Sequence, residues 1–547
     1  MLRLHARASV LVPALALAAC QGPLLARSSA PSTTAAAAPT PADDRQSSTY
    51  ARADIAAWRE EARETLRKQA EALWSNWVFG ADTDLAAAYR GREGLFSEAT
   101  SRTLQSAAQG AVGEERRALN AFALYVAGEV LARETAPLDQ QIDTLLHEAP
   151  VTIDGHTQPW RDLEAMLASE PDAARRRRLS EAERPLLERL SPLVKERHRR
   201  LEEASRRLGW QGRATFVAAL REMEPAQLAA LATRTLEATD AAWSQALAAL
   251  ARDQLDQEAR TLVPADLPRL LRLQRQPRGF TAAALVPTAS AVFRGLGLDW
   301  QRQRELTVHV SNLSTKNPRP VCLPVSAPGD VRVSVKPSPG AEFLRETLHE
   351  LGHAEVFLHA RRAEWELTTL GNATVSEASA LTLSGLVDDP AYLRGLGTMD
   401  DAQVGRTARQ AAARRLYGVR RAAARVLLET TLLTNPSADP VDTWRGLATR
   451  ASGVAHTRGD AARWVLEDSP LLDAADDLRA DLLAAQMERS LDRMFAGGWW
   501  KKAGAGNFLA SVWSRGTLPN PDEVARIFGF GQLAPDALAR LAQERLR

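Results

Sequence analysis

The sequence predicts a mainly α-helical protein with one small β-hairpin, and three observations support that fold class. From residue 49 onward, apolar residues recur every three or four positions between charged ones, which is the pattern of amphipathic helices. One segment, residues 306–335, is instead rich in valine and alternates in the manner of strands. No long Pro/Gly linker interrupts the chain after residue 48, so residues 49–547 are expected to form one large helical domain.

The N-terminus predicts a bacterial lipoprotein signal. An apolar run, Val10–Ala19, is too short to span a bilayer and fits the core of a secretory signal. Leu17–Cys20 resembles a lipobox, so residues 1–20 are expected to be removed as a signal peptide and Cys20 to carry the lipid. Because Gln21 follows, without an Asp, the expected location is the cell envelope, anchored in the outer membrane. Residues 21–48 are rich in Ala, Pro, Ser and Thr and are expected to form a flexible tether.

Composition narrows the remaining possibilities. The 547 residues are 45% hydrophobic and carry 69 basic and 67 acidic side chains, so nothing in the charge favours nucleic acid as a partner. The basic run Arg175–Arg178 is followed closely by Glu181 and is interpreted as a solvated helix face. Cys20 and Cys322 are the only cysteines, which excludes a disulfide framework and a thiolate cluster. A metal would therefore need nitrogen and oxygen ligands.

Six segments show the helical pattern most clearly. They are Ile55–Trp77, Arg116–Ala132, Leu179–Leu208, Pro225–Ala251, Thr407–Leu433 and Asp473–Phe495. We find no fixed-period repeat among them, so they predict a single helical assembly rather than a solenoid.

The strand-like segment contains three candidate strands, Leu306–Val310, Arg319–Val325 and Val331–Val335. Ser326–Asp330 contains Pro and Gly and is a good turn between the last two strands. A small β-hairpin is therefore expected directly before the segment discussed next.

That segment, RETLHELGHAEVFLHA at residues 345–360, contains the pattern H-E-x-x-H. On a helix, His349 and His353 lie on one face and can bind a single ion, while Glu350 can reach a water beside that ion. A random chain of this composition would contain such a pattern about 0.02 times, so chance is a weak explanation. A pair of core histidines with ordinary hydrogen bonds is the alternative.

Two histidines leave a catalytic zinc site one protein ligand short. Gly371-Asn372-Ala373 is interpreted as the stop of the first helix, and a second helical segment follows it. Glu377 lies near the start of that segment between small residues, which would let it pack closely on the first helix. Asp388 and Asp389 are rival ligands, but they lie beside Pro390, where the segment ends. Glu377 is the predicted third ligand.

At these residues the chain resembles a family. Val331–His353 (VRVSVKPSPGAEFLRETLHELGH), the 24-residue interval from His353 to Glu377 and the sequence EASALTLSGLVDDPAYL are similar to the angiotensin-converting-enzyme-like peptidases. The thimet oligopeptidase and neurolysin family has a similar arrangement. The resemblance implies a helical ellipsoid with a deep channel, one zinc ion at its floor and an oligopeptide substrate. His349, His353 and Glu377 would hold the zinc, and Glu350 would be the general base.

Substrate contacts are predicted less directly. The strand Arg319–Val325, which includes Cys322, could add an extended peptide at its edge, and the resemblance implies the same use. The family supplies a histidine and tyrosines near the C-terminus to stabilise the oxyanion, but Glu467, Ala474 and Asp477 stand at those positions here. Three side chains are candidates to replace them: His456, Arg479 and Trp464.

Two functions are consistent with these residues. The main hypothesis is a lipid-anchored, monomeric zinc peptidase whose partners are oligopeptides and the membrane. The alternative is a zinc-loaded protein on the same fold that binds peptides or partner proteins with little activity, and the missing tyrosines motivate it. Experimentally, peptide cleavage would separate the two.

Overall fold

The computed structural model describes residues 44–272 and 280–546, and these ranges are mainly helical. The predicted signal peptide, Cys20 and most of the predicted tether lie outside them. The first half contains α1 (Asp44–Phe79), α2 (Glu98–Gly110), α3 (Gly113–Glu148), β1 (Pro150–Ile153), β2 (His156–Pro159), α4 (Leu163–Ser169), α5 (Ala173–Glu181), α6 (Arg184–Arg207), α7 (Arg213–Arg221), α8 (Pro225–Leu255) and α9 (Leu267–Leu270).

The second half surrounds the H-E-x-x-H segment. It contains α10 (Ala282–Gly295), β3 (Leu306–Val310), β4 (Val321–Ser326), β5 (Asp330–Val335), α11 (Ala341–His359), α12 (Glu366–Thr369), α13 (Ala373–Ser384), α14 (Pro390–Gly395), α15 (Asp401–Thr434), α16 (Pro440–Ser452), α17 (Trp464–Glu467), α18 (Ala474–Met494), α19 (Ala503–Trp513), α20 (Pro521–Ile527) and α21 (Asp536–Arg545). All six segments with the clearest helical pattern lie on helices, although Leu179–Leu208 spans α5 and α6.

The predicted hairpin is confirmed. β4 pairs antiparallel with β5, with Cys322 opposite Val333, and the turn lies between Ser326 and Asp330. β3 adds to the other side of β5 in parallel, giving the order β3-β5-β4. Val321, Leu323 and Val325 pack on α1, whose Trp77 donates its indole N–H to the Arg319 carbonyl at 2.8 Å.

A second hairpin, formed by β1 and β2, was not predicted. Asp154 and Gly155 between these strands both have positive φ, 51° and 80°. An Asp-Gly pair between short alternating runs is the usual sequence signal for such a turn, so this hairpin was available to sequence reasoning.

The boundary between the H-E-x-x-H helix and the next helix was predicted incorrectly. α11 ends at His359, well before Gly371, and α12 intervenes. Asn372 begins α13 instead, because its side chain accepts a hydrogen bond from the Thr374 N–H at 2.8 Å and so caps the helix.

Four helices lie side by side in the order α11, α13, α18, α15. α11 and α13 approach closely at Gly352, where a Cβ would lie 2.7 Å from the Cα of Ala380. The close contact is formed by Gly352 and Ala380, whereas the small residues singled out from the sequence were the neighbours of Glu377, Ser376 and Ala378. Most buried apolar side chains of these helices belong to one large core cluster.

The basic run Arg175–Arg178 is only partly a solvated face. Arg175, Arg177 and Arg178 are exposed as expected, but Arg176 is 1% exposed and its Nη2 lies 2.7 Å from Asp266 Oδ1. The sequence interpretation failed there because the partner, 90 residues away, comes close only in the fold. None of the helices in the described ranges combines the length and the apolar character that a membrane crossing requires.

Candidate metal centre

α11 brings the two histidines of the motif together. Four residues separate them, so both rings lie on one face, and the Nε2 atoms of His349 and His353 are 3.1 Å apart. His353 is fully buried, while the side chain of His349 is 13% exposed. The pair therefore lies at the edge of the core, with His349 partly accessible to solvent.

Glu377 completes a cluster of three possible ligands. From the first turns of α13, its carboxylate places Oε1 3.6 Å from His349 Nε2 and Oε2 3.3 Å from His353 Nε2. Burial favours the neutral acid, but hydrogen bonds and charge interactions with His349 and His353 lower the pKa of Glu377 well below its usual range. The third residue chosen from spacing thus lies beside the other two.

These three residues fit a zinc ion. Ligand atoms that are 2.0–2.1 Å from a tetrahedral zinc lie about 3.3 Å from one another. The separations of 3.1, 3.3 and 3.6 Å bracket that value. Two imidazoles and one carboxylate also form a donor set that catalytic zinc sites use.

Ser376 orients one of the histidines. Its Oγ lies 2.8 Å from His353 Nδ1 and accepts a hydrogen bond when that nitrogen is protonated. With the proton on Nδ1, Nε2 of His353 is free to bind a metal ion; the hydrogen bond from His353 to Glu377 belongs to the form that carries a proton on Nε2. Sequence reasoning treated Ser376 only as a small neighbour of Glu377, and its position next to a predicted ligand was the available signal.

Glu350 lies beside the cluster rather than within it. It is 5% exposed, and its Oε2 accepts a hydrogen bond from the backbone N–H of Cys322 at 2.8 Å. This hydrogen bond from β4 fixes the orientation of the Glu350 carboxylate. The predicted hairpin therefore has a direct contact with the predicted general base.

The rival ligands are engaged elsewhere. Asp388 is fully buried and forms an ion pair with Arg345. Asp389 caps α14 by accepting hydrogen bonds from the N–H groups of Ala391 and Tyr392. Neither belongs to the cluster of metal-ligating side chains that the described residues contain.

The predicted substrate-binding residues Cys322, Val325 and His456 are enclosed in the protein. Cys322 is 1% and Val325 is 4% exposed. The Cys322 N–H, which would pair with an added peptide strand, is bound to Glu350. His456 is held in its own loop, with its Nδ1 2.8 Å from the Val454 carbonyl and its backbone N–H donated to Thr449.

Glu467 and Asp477, two of the three positions that the sequence resemblance would align with a histidine and tyrosines, take part in an ion-pair network. Glu467 accepts two hydrogen bonds from Arg421, and Asp477 lies 3.7 Å from Arg425. Ala474 is fully buried.

Arg479 and Trp464, the two other candidates for the oxyanion donor, are also buried. Arg479, 1% exposed, donates to the Arg221 carbonyl and to Asp476, and Trp464 is 2% exposed. The structure therefore brings the three predicted ligands and Glu350 together, and leaves the oxyanion donor unassigned.

Comparison with known proteins gives no independent family assignment, because no protein-family model and no curated protein matches this chain. The functional argument therefore depends on the geometry of the cluster.

Proposed function

We propose that this protein is a zinc-dependent peptidase that hydrolyses peptide bonds in oligopeptides. The observation that carries the proposal is the cluster of His349, His353 and Glu377 at mutual distances suited to one zinc ion, with Glu350 next to it. The sequence resemblance to angiotensin-converting-enzyme-like peptidases at the same residues supports the same function.

In this proposal, His349, His353 and Glu377 hold the ion, and the Ser376 hydrogen bond keeps His353 in the tautomer that can bind it. When bound, zinc supplies a lowered pKa for water and a Lewis acid that polarises a carbonyl. Glu350 takes the proton from the attacking water and delivers it to the leaving amine, while the Cys322 N–H holds the carboxylate in position.

We also propose that the cluster opens on a channel, as the family resemblance implies. The pattern of burial supports a channel. On two helices whose side chains are mostly buried, half-buried residues recur along one face. On α11 the line is Glu342, Glu346 and His349, and on α15 it includes Arg414 and Arg421. The Arg414–Glu342 ion pair joins these two lines across a space between the helices, which suits a solvent-filled channel.

The cellular setting is part of the proposal. A lipid attached at Cys20 would tether the domain to the outer membrane through the segment before α1, without crossing the bilayer. The substrates would then be peptides of the cell envelope or its surroundings.

A second function is favoured by one observation. An ion-pair network occupies the region where the resembling family has its oxyanion-stabilising tyrosines. Such a donor lowers the barrier by roughly 2.7–4 kcal/mol, so without a replacement the protein would bind peptides and cleave them slowly.

The test is Glu350→Gln in zinc-loaded protein, assayed on a broad set of quenched peptides. Loss of the general base is expected to lower kcat/KM by roughly 10²–10⁴-fold and leave one zinc per chain, because Glu350 is not a ligand. Glu355→Gln is the matched control, since Glu355 lies on the same helix and accepts from Gln303 Nε2 at 3.0 and 3.1 Å. Undiminished cleavage by Glu350→Gln would refute the mechanism. Peptide binding without cleavage by the wild type would favour the second function.

A further inference from the structure

Gly418 is a glycine in the interior of α15 that neither packing nor backbone conformation explains. Glycine destabilises a helix interior relative to alanine, so it usually marks a close contact or an unusual conformation. A Cβ at Gly418 would meet no atom within 4 Å, and its φ is not among the positive values. At Gly352, by contrast, the neighbouring helix leaves no room for a side chain.

The empty space lies on the partly exposed line of α15. Between residues 410 and 430, most side chains of this helix are buried. Arg414, Gly418, Arg421 and Arg425 are half-buried and recur at intervals of four, three and four residues. They therefore share one face, and Gly418 leaves a gap between arginines that lie about one turn to either side.

Hydrogen bonds and ion pairs at both ends of this line connect it to the helices of the metal centre. At one end, Arg414 donates to both carboxylate oxygens of Glu342, at 2.6 and 3.0 Å. Glu342 lies two turns before His349 on the same face of α11. At the other end, Arg425 lies 3.7 Å from Asp477, next to Asp476, which accepts from Thr374 of α13.

The helix alignment places Gly418 and Glu377 beside adjacent turns of α18, about five residues apart along that helix. α15 runs antiparallel to α18, because Arg415 pairs with Glu488 and Arg425 approaches Asp477. α13 runs parallel to α18, because Thr374 contacts Asp476 and Thr382 contacts Met487. Gly418 and Glu377 each lie between those contact points, so both lie beside the same stretch of α18.

We propose that the gap at Gly418 is a subsite that receives a side chain of the peptide substrate. The inference rests on the proposed peptidase function and adds a determinant of specificity to it. The arginines on either side are paired with Glu342 and Glu467, so the subsite is charge-balanced and selects by size. Residues with bulky side chains fill the gap, whereas glycine and alanine leave it empty.

The experiment compares Gly418→Leu with wild type on peptides that differ at one residue at a time, from Gly to Trp. Leucine fills the gap, so kcat/KM for peptides with a bulky residue at the sensitive position should fall about tenfold or more. Peptides with Gly or Ala there should change less than about twofold. Gly418→Ala should raise Tm and give a smaller loss of the same kind, because alanine favours the helix and adds only one methyl group.

Gly446→Leu is the matched control. Gly446 is exposed on α16, and a Cβ there also meets nothing within 4 Å. This variant should cleave the whole series as wild type does. Folding and one zinc per chain are checked for each variant.

The outcomes separate the inference from the proposed function. Unchanged cleavage of bulky and small residues by Gly418→Leu overturns the subsite, while the peptidase function stands. An equal loss across the whole series also overturns it, because a subsite for one side chain must discriminate by size. If the zinc-loaded wild type neither cleaves nor binds any peptide of the series, the proposed function and this inference fall together.

Discussion

Ser376 is the residue whose role is defined most sharply by a single contact. Its Oγ is 2.8 Å from Nδ1 of His353, which is fully buried and has its Nε2 in the metal cluster. Hydrogen-bond partners of this kind set the tautomer and orientation of a ligating imidazole. The sequence placed Ser376 beside Glu377, yet only the approach of α13 to α11 makes it a partner of a histidine 23 residues earlier.

Ser376→Ala is expected to weaken zinc affinity by roughly 10–100-fold, because the His353 ring loses its fixed orientation. Competition with a chromogenic chelator measures this directly. Ser379→Ala is the control, since Ser379 is buried on the same helix and bonds Trp513 Nε1 at 3.0 Å instead. The control should lose stability with unchanged zinc affinity. Equal zinc affinities for Ser376→Ala and wild type would contradict the assigned role.

At the scale of elements, the position of the first turn of α13 determines where Glu377 lies relative to the two histidines of α11. Asn372 caps it, and Thr374 Oγ1 donates to Asp476 at 3.1 Å, one turn before Glu377. Asp476 is in turn paired with Arg221 of α7 and Arg479 of α18. α18 and α7 thus fix the turn of α13 from which Glu377 extends.

Thr374→Val removes the hydroxyl from this contact and keeps the shape of the side chain. We expect zinc affinity to fall several-fold, because α13 can then shift relative to α11 while the ion pairs of Asp476 remain. The matched control is Thr382→Val, two turns further along the same helix, where the hydroxyl donates to the Ala378 carbonyl of its own helix and reaches α18 only through a weak acceptor, Met487 Sδ at 3.7 Å. If both valine variants lowered zinc affinity equally, the effect would be a general loss of helix stability and not positioning.

Local pattern predicted some elements well and others poorly. The β4–β5 hairpin was predicted because alternation and a Pro-Gly turn are local signals. The end of α11 was missed, because Gly371-Asn372 resembles a helix stop and acts instead as the start of α13. Asn occurs at both the start and the end of helices, so only its hydrogen-bond partner shows which end it caps.

At the scale of the whole molecule, several charged side chains are buried in the interior, which the nearly equal numbers of acidic and basic residues do not reveal. Three arginines, Arg176, Arg420 and Arg479, are at most 2% exposed. Arg176 forms an ion pair with Asp266, Arg420 donates to the Leu236 carbonyl, and Arg479 donates to Asp476 of its own helix. Removing one partner of such a pair leaves a buried charge uncompensated, which usually costs about 3–5 kcal/mol. The stability of the fold is therefore expected to depend on pH wherever a buried carboxylate titrates.

Asp492 gives that dependence a definite sign. Burial, with Asp389 and Glu488 nearby, raises its pKa from 3.8 to about 6. The folded state therefore holds this proton more tightly than the unfolded chain, so stability falls as the pH rises from about 4 to about 6 and the full destabilisation remains above pH 6.

Asp492→Asn should accordingly raise Tm at pH 8, with a smaller gain at pH 4.5, where the native carboxyl is mostly protonated. Thermal unfolding at the two pH values checks this, and Asp253→Asn at an exposed position should give equal, small changes. A larger gain at pH 4.5 than at pH 8 would contradict the sign.

The sequence by itself determined the helical class, the hairpin, the metal-ligand candidates His349, His353 and Glu377, and the general-base candidate Glu350. These rest on periodicity and short-range spacing, which the backbone converts directly into a shared helix face. Only the tertiary structure decided that Ser376 reaches His353, that β4 holds Glu350, and that Gly418 leaves an open space on α15. Each of these depends on how helices and strands that are distant in sequence pack against one another, and a local sequence pattern does not specify that packing.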